Sequence, residues 1–340
     1  MRIAHIMAGA RVGGAELFYE RLVTAQHGAG SAILPVMRAD AARARRLRAG
    51  GVGPLQLRFG GRLDLLTRPR LRRALQRFGP DVAVAWMNRA ARLAPRGDWV
   101  LAGRLGGFYD LSYYRRCDHL IGNTRGIVDW IAHQGWPAAR VHYLPNFATD
   151  HGDVARSRPS WLAPGAKLVL ALGRLHRNKA FDVLIRAMAE IPDAVLLIAG
   201  EGPERASLEA LARSVGVASR LRMPGWSDDT GSLFAAADLL VCPSRHEPLG
   251  NVVIEAFSAR LPVVAASAAG PVELIDSGED GILVPPEDAP ALAAAIGAVL
   301  GDPALASRLA QAGRRKFERD FAEAPVLARW ATVLSGLEQA

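Results

Sequence analysis

The sequence predicts an α/β protein built of two doubly wound, Rossmann-like domains facing across a cleft. Three observations predict it. Short apolar runs alternate with longer amphipathic ones, the alternation pauses once near the middle, and glycine turns follow several of the apolar runs. Alternating strand and helix implies parallel strands covered on both faces, because a strand buried on both sides reads as an unbroken apolar run. In such sheets ligands collect outside the carboxyl ends of the strands, where turns feed helix N-termini.

The first domain is expected over 1–148. Its strands are predicted at Ile3–Ala8, Ala32–Met37, Leu55–Arg58, Val82–Trp86, Trp99–Arg104, His119–Gly122 and Val141–Leu144. Helical spacing falls at Ala15–His27, Asp64–Phe78 and Thr124–Gln134. Residues 149–166 carry proline and glycine without clean periodicity and read as a linker. Alternation restarts in a second domain, 167–320. Its strands are expected at Leu168–Leu172, Val195–Ala199, Leu221–Met223, Leu239–Cys242, Val263–Ala265 and Ile282–Val284. Helices fill Phe181–Glu190, Glu204–Val215, Gly231–Ala236, Val252–Arg260 and Ala289–Leu300. The end of the chain, 321–340, reads as a helix (Ala324–Gln339) that crosses back to the first domain.

Half of the 340 residues are hydrophobic and 22% are charged, the composition of a globular chain. No apolar run reaches membrane-spanning length, and the N-terminus MRIAHIMAGA suits a buried strand better than a secretory signal. The two cysteines, Cys117 and Cys242, make neither a disulfide framework nor a zinc site, so a cytoplasmic setting is expected.

The net charge of +9 is concentrated. Between Arg38 and Arg77 stand twelve arginines (38, 43, 45, 46, 48, 58, 62, 68, 70, 72, 73 and 77) against Asp40 and Asp64, a local +10. Such a window attracts an anionic membrane surface or a phosphorylated acceptor, or it is a solvated helix face. Nucleic acid is not expected, since Phe59 is the single aromatic there to stack a base.

Two stretches carry candidate chemistry. In Gly173-Arg174-Leu175-His176-Arg177-Asn178-Lys179, two cations five apart in one strand-to-helix loop can converge on one anion. Lysine is rare here, at 167, 179 and 316 only, so Lys179 stands out as a compact ammonium in a chain that otherwise uses arginine. In Ser244-Arg245-His246-Glu247-Pro248-Leu249-Gly250-Asn251-Val252-Val253-Ile254-Glu255-Ala256, a Pro-Leu-Gly turn opens a helix. The amides of Gly250, Asn251 and Val252 favour a phosphate, with Leu249 in the same turn. Glu247 and Glu255 flank them as acceptors suited to sugar or ribose hydroxyls.

The Glu-x7-Glu spacing around Pro-Leu-Gly, with Gly-Arg…Lys upstream and Pro262-Val263-Val264-Ala265 and Gly270-Pro271-Val272-Glu273 downstream, resembles the family 4 retaining glycosyltransferases of the GT-B fold. The resemblance is close over the C-terminal half. It implies transfer of a sugar from a nucleotide-sugar donor to a glycan or lipid-linked glycan, such as lipopolysaccharide core, with retained anomeric configuration. No metal or other cofactor is implied, and the sequence has no Asp-x-Asp pair. Carried over, Arg174 and Lys179 hold the diphosphate and stabilise the leaving group, Glu255 binds the ribose and Glu247 the donor sugar. Gly173 shapes their loop. The Gly13-Gly14 loop meets the donor from the N-terminal domain, which receives the acceptor. Gly200-Glu201-Gly202-Pro203 resembles the family's turn near the nucleotide. It is no dinucleotide fingerprint, because Arg205 occupies the third glycine position, and the following Met223-Pro224-Gly225-Trp226 packs the base.

The N-terminal half departs from the family. Many members carry a histidine at the end of one N-domain strand, facing the sugar. Arg104 stands there in this chain, so either Arg104 supports the donor or the register is shifted and Asp110 or another residue does so; His119 reads as a core histidine. Four other readings compete: a sugar-nucleotide epimerase of the same fold, a non-catalytic paralogue acting as a scaffold, a dehydrogenase, which the broken glycine fingerprint disfavours, and a two-lobed sugar-binding protein, which would need an export signal.

Overall fold

A computed structural model describes residues 1–10, 13–60 and 64–337, and the chain divides into two units. One is Met1–Phe147 with the stretch from Glu323 onward; the other is Ala148–Ala322.

The first unit runs β1 (Arg2–Met7), α1 (Gly14–Gly28), β2 (Ala32–Arg38), α2 (Ala41–Ala49), β3 (Leu55–Leu57), α3 (Thr67–Phe78), β4 (Val82–Trp86), α4 (Met87–Leu93), β5 (Val100–Leu105), β6 (His119–Gly122), α5 (Arg125–His133) and β7 (Val141–Tyr143). Its parallel sheet has the order β3-β2-β1-β4-β5-β6-β7. Successive strand side chains feed opposite faces. Ile3 and Met7 join a core with α1 and α2 (Phe18, Leu22, Leu47), whereas Ala4 and Ile6 join one with α3, α4 and α5 (Leu71, Leu75, Ala90, Ile127).

The predicted strands all form, within a residue or two at each end. Helix α2 was hidden in the arginine run. Asp40 caps it by accepting from Arg43 N, and Ala44 and Leu47 are its buried face. Here the expected cationic surface needs correction. Arg43 is 1% exposed, its Nε donating to Glu20 Oε1 at 2.9 Å, and Arg46 donates to Glu20 Oε2 at 2.6 Å. Glu20 in α1 thus neutralises part of the window to seat α2, and Arg62 lies outside the described residues. The helix expected from Asp64 begins at Thr67, because the Asp64 carboxylate accepts from Gly60 N, Thr67 N and Thr67 Oγ and so caps the helix from outside it.

Beneath α1 lies a buried polar chain. Trp86 Nε1, which can only donate, reaches His5 Nδ1 at 3.1 Å, so the other ring nitrogen bears the proton and donates to Gln26 Oε1 at 2.7 Å. A second proton on His5 would break the tryptophan bond at a fully buried ring. Burial accordingly pulls the pKa of His5 down to about 4; the Gln26 bond opposes this and nearby Arg104 adds to it. The folded state refuses a proton that the unfolded chain takes near pH 6.5, so stability falls as pH drops through that window and levels below about pH 4. We expect denaturation of the wild type to lose up to about 1.4 kcal/mol per pH unit between these limits from this group, a slope that His5→Gln removes.

The second unit runs β8 (Lys167–Leu172), α6 (Phe181–Ala187), β9 (Ala194–Ala199), α7 (Arg205–Ser214), β10 (Leu221–Gly225), α8 (Thr230–Ala236), β11 (Leu239–Cys242), α9 (Asn251–Ser258), β12 (Val263–Ala266), α10 (Ala269–Leu274), β13 (Ile282–Val284), α11 (Ala289–Gly301) and α12 (Pro303–Lys316). Its parallel sheet is ordered β10-β9-β8-β11-β12-β13. Residues 149–166 form no helix or strand and are grouped with this unit. Arg156 and Arg158 reach the Asp238 carboxylate at 2.6 and 2.8 Å, and that carboxylate also takes Leu168 N at 2.7 Å. After a π-helical turn at Phe317–Phe321 the last helix, α13 (Glu323–Ser335), packs Val326, Trp330 and Leu334 into the α1 core of the first unit. Gln339, placed in this helix by the sequence, lies outside the described residues. No single helix among the described residues is long and apolar enough to cross a membrane.

Candidate active site

Neighbouring strands β8 and β11 are the point where the second sheet reverses its winding, β9 and β10 lying to one side and β12 and β13 to the other. This switch point is where doubly wound sheets leave room for a ligand. The loop after β8 carries Arg174 and Lys179, and the loop after β11 carries Glu247 and Gly250.

The two loops are bound together. Arg245 N and His246 N donate to Asn178 O at 2.8 and 3.3 Å. The Arg245 guanidinium grips Asp182 through two bonds of 2.8 and 2.7 Å, pairs with Glu287 and donates to Arg177 O at 2.7 Å. Nothing in the sequence marked Arg245 as the tie. Its effect is to bring Lys179 Nζ onto Glu247 Oε2 in a close ion pair, which Ser244 Oγ supports from 3.3 Å. Burial works against the lysine's charge, but the Glu247 carboxylate outweighs it and the Lys179 pKa is raised. Lys179 is therefore a cation at neutral pH.

The glycines make this approach possible. A Cβ on Gly173 would sit 3.1 Å from Lys179 Cε, so its absence opens the channel along which the lysine runs. A Cβ on Gly200 would collide with Gly173 O, and one on Gly202 with Leu175 O. The Gly-Glu-Gly-Pro turn is thus a bracket for the cationic loop, closed by Leu175 N to Glu201 O at 2.9 Å and Glu204 N to Leu175 O at 3.1 Å. Gly250 is left-handed at φ 90°, and no side chain caps helix α9 behind it. The first turn of a helix points its amides outward, the arrangement that suits an anion. Leu249 is buried; Asn251, Val252 and Glu255 are half-buried. Gly225 ends β10 at φ 98°, and the Trp226 indole beyond it is 57% exposed. Arg174 is exposed and has no hydrogen bond or ion pair with the described residues.

In the first unit, the Gly13-Gly14 loop folds around an unforeseen residue. Glu16 is buried in the space that side chains on Gly9 and Gly13 would fill, and accepts from Ala10 N at 2.7 Å. Arg104 is 2% exposed. Its guanidinium lies over Trp86, Phe18 and Trp330 at 4.4, 4.9 and 5.9 Å from the ring centres, and donates to Asn146 Oδ1 at 2.5 Å. Burial lowers its pKa to about 9, so it stays charged at neutral pH. Packed in this way, Arg104 offers a ligand almost no surface. The other candidate, Asp110, accepts from Ser112 N at 2.9 Å as the cap of a short turn, and His119 is buried against His142.

The pair of doubly wound units and the cationic, glycine-bracketed switch point define the class of the GT-B transferases. Comparison with known proteins agrees. Residues 153–316 match the model of the family described as "Glycosyl transferases group 1". The lipopolysaccharide core biosynthesis glycosyltransferases LpsE and LpsD of Rhizobium meliloti are 33% and 32% identical to this chain. The LpsE match covers 98% of this chain and 99% of LpsE, and the LpsD match 95% of each. The solved structure of Anabaena Alr3699/HepE in complex with UDP and glucose superposes with a TM-score of 0.84 at 22% identity, covering 98% of this chain and 99% of that one. The chain belongs to the group 1 glycosyltransferases.

Proposed function

We propose that this glycosyltransferase moves a sugar from a nucleotide-sugar donor to a glycan or lipid-linked glycan acceptor in the synthesis of lipopolysaccharide core or a related envelope polysaccharide. The observation that carries the reading is the Lys179–Glu247 pair, held beside an uncapped left-handed helix mouth at the switch point of the second sheet. Near-full-length similarity to LpsE and LpsD supports the acceptor class.

In this reading Lys179 and Arg174 grip the diphosphate with the amides of Gly250, Asn251 and Val252. Glu247 engages the sugar hydroxyls and Glu255 the ribose, while Trp226 stands beside Gly225 for the base. Side-chain cations neutralise the leaving group, so the transfer proceeds without a metal ion. The acceptor oxygen forms its bond to the anomeric carbon on the face from which the diphosphate departs. Its proton passes to the leaving phosphate oxygen, and configuration is retained. The enzyme works peripherally at the cytoplasmic face of an anionic membrane, met through the Arg38–Arg77 region.

The test is a screen of UDP-, GDP- and ADP-sugars in the presence of EDTA, with NMR of the product's anomeric centre. Turnover with retention is expected. An inverted anomer would overturn the stereochemistry, and activity that required a divalent ion would overturn the metal-independent scheme.

A further inference from the structure

On the face of the first unit covered by α3 and α4 lies a groove of about 860 Å³, lined among others by Leu65, Arg68, Arg72, Arg96, Arg115 and Arg116. Only Arg68 and Arg72 belong to the arginine-rich window. The fold adds Arg96 from beyond α4, and Arg115 and Arg116 from the end of the 3₁₀ turn Leu111–Tyr114.

These cations are not neutralised from within. The one carboxylate lining the groove among the described residues, Asp64, is occupied by Gly60 and Thr67. Asp118 stands 3.9 Å from Arg96 and is itself bonded by Leu101 N. Arg96 and Arg116 otherwise donate to the carbonyls of Arg116 and Arg92, which hold them in place without cancelling charge. Arg68, Arg72 and Arg115 form no hydrogen bond or ion pair with the described residues. Burial lowers the Arg116 pKa, and Arg68, Arg115 and Arg96 add to this as like charges. Guanidiniums gathered at such a cost call for a bound anion, and phosphate matches their planar donors.

The rim narrows the choice of anion. Leu65 and Leu66, just ahead of α3, are 80% and 51% exposed. A soluble polyanion would leave both leucines in water, whereas a lipid covers them with its acyl chains while its headgroup meets the arginines. We propose that this groove binds the phosphate-bearing headgroups of membrane lipid, with Leu65 and Leu66 entering the acyl layer. The inference rests on the reading that the enzyme works at an anionic surface, and it assigns that contact to particular residues.

The test is sedimentation of the full chain with phosphatidylcholine vesicles with and without phosphatidylglycerol, alongside binding of inositol hexakisphosphate as a soluble probe. Wild type is expected to bind the anionic vesicles alone, less as salt rises. R68Q/R72Q/R115Q should weaken that binding roughly a hundredfold, each arginine being worth about a factor of five at such a surface. L65S/L66S should weaken vesicle binding by roughly tenfold and leave the soluble probe's affinity unchanged. If the arginine variant binds vesicles like wild type while wild type does bind, the groove assignment fails and the surface reading stands. If wild type ignores anionic vesicles, both fail. If the leucine variant keeps full vesicle affinity, the groove is a soluble-polyanion site and the proposal is overturned. Nucleotide-induced thermal stabilisation of the same variants reports folding and the donor site separately.

Discussion

Lys179→Met lowers kcat/KM by roughly 10²–10³, the usual cost of deleting one donor aimed at developing negative charge. The ammonium is held in place before any ligand arrives, by the Glu247 carboxylate and by the channel that Gly173 leaves open. Lys179→Arg does not restore the rate, because a planar guanidinium is bulkier than the space along Gly173 and places its charge elsewhere. Removing the lysine also leaves Glu247 short of its counter-charge, which by itself destabilises the fold. The K179M/E247Q double variant separates the two effects. Its melting temperature is expected to recover toward wild type while activity stays lost. Recovery of both would make the pair a structural feature alone.

Trp330→Ala destabilises the protein by about 3–5 kcal/mol, read as a fall in melting temperature on the order of 10 °C. The indole is fully buried and packs beside His5, at 6.3 Å between ring centres, and beside Arg104. Deleting it opens a cavity next to a buried cation, and with it goes the main anchor of α13 on the α1 core. Trp330→Phe costs less. It keeps a ring against the guanidinium and removes Trp330 Nε1, a buried donor without a partner among the described residues. Equal losses for the two variants would mean that the ring does not serve as the anchor.

What could be read in advance follows from how far each signal travels along the chain. Strands such as Val82–Trp86 and Leu239–Cys242 were legible because a strand buried on both faces is an unbroken apolar run. Lys179 and Glu247 were legible as types at particular spacings, since strand-to-helix loops sit where a parallel sheet leaves room for ligands. That the two would meet depended on β8 lying beside β11, which strand order decides and local pattern does not. Arg245 escaped for the same reason, its partners Asp182 and Glu287 being far along the chain, whereas Glu16 turns back on nearby Ala10 N in the space left by Gly9 and Gly13. Helix α4 follows β4 without a turn residue, Met87 itself adopting φ 61°, so no breaker announced it. The arginine run misled in the opposite way: it looked uniform, yet one member is core, another pairs with the same buried glutamate, and two line a groove with arginines from elsewhere.

The most direct measurement is the crystal structure of the chain with a bound nucleoside diphosphate. The account predicts the diphosphate within hydrogen-bonding distance of Lys179 Nζ, the Arg174 guanidinium and the first amides of α9, with Glu255 on the ribose. Density for the diphosphate elsewhere, with Lys179 still closed on Glu247 and Arg174 turned to solvent, would contradict it.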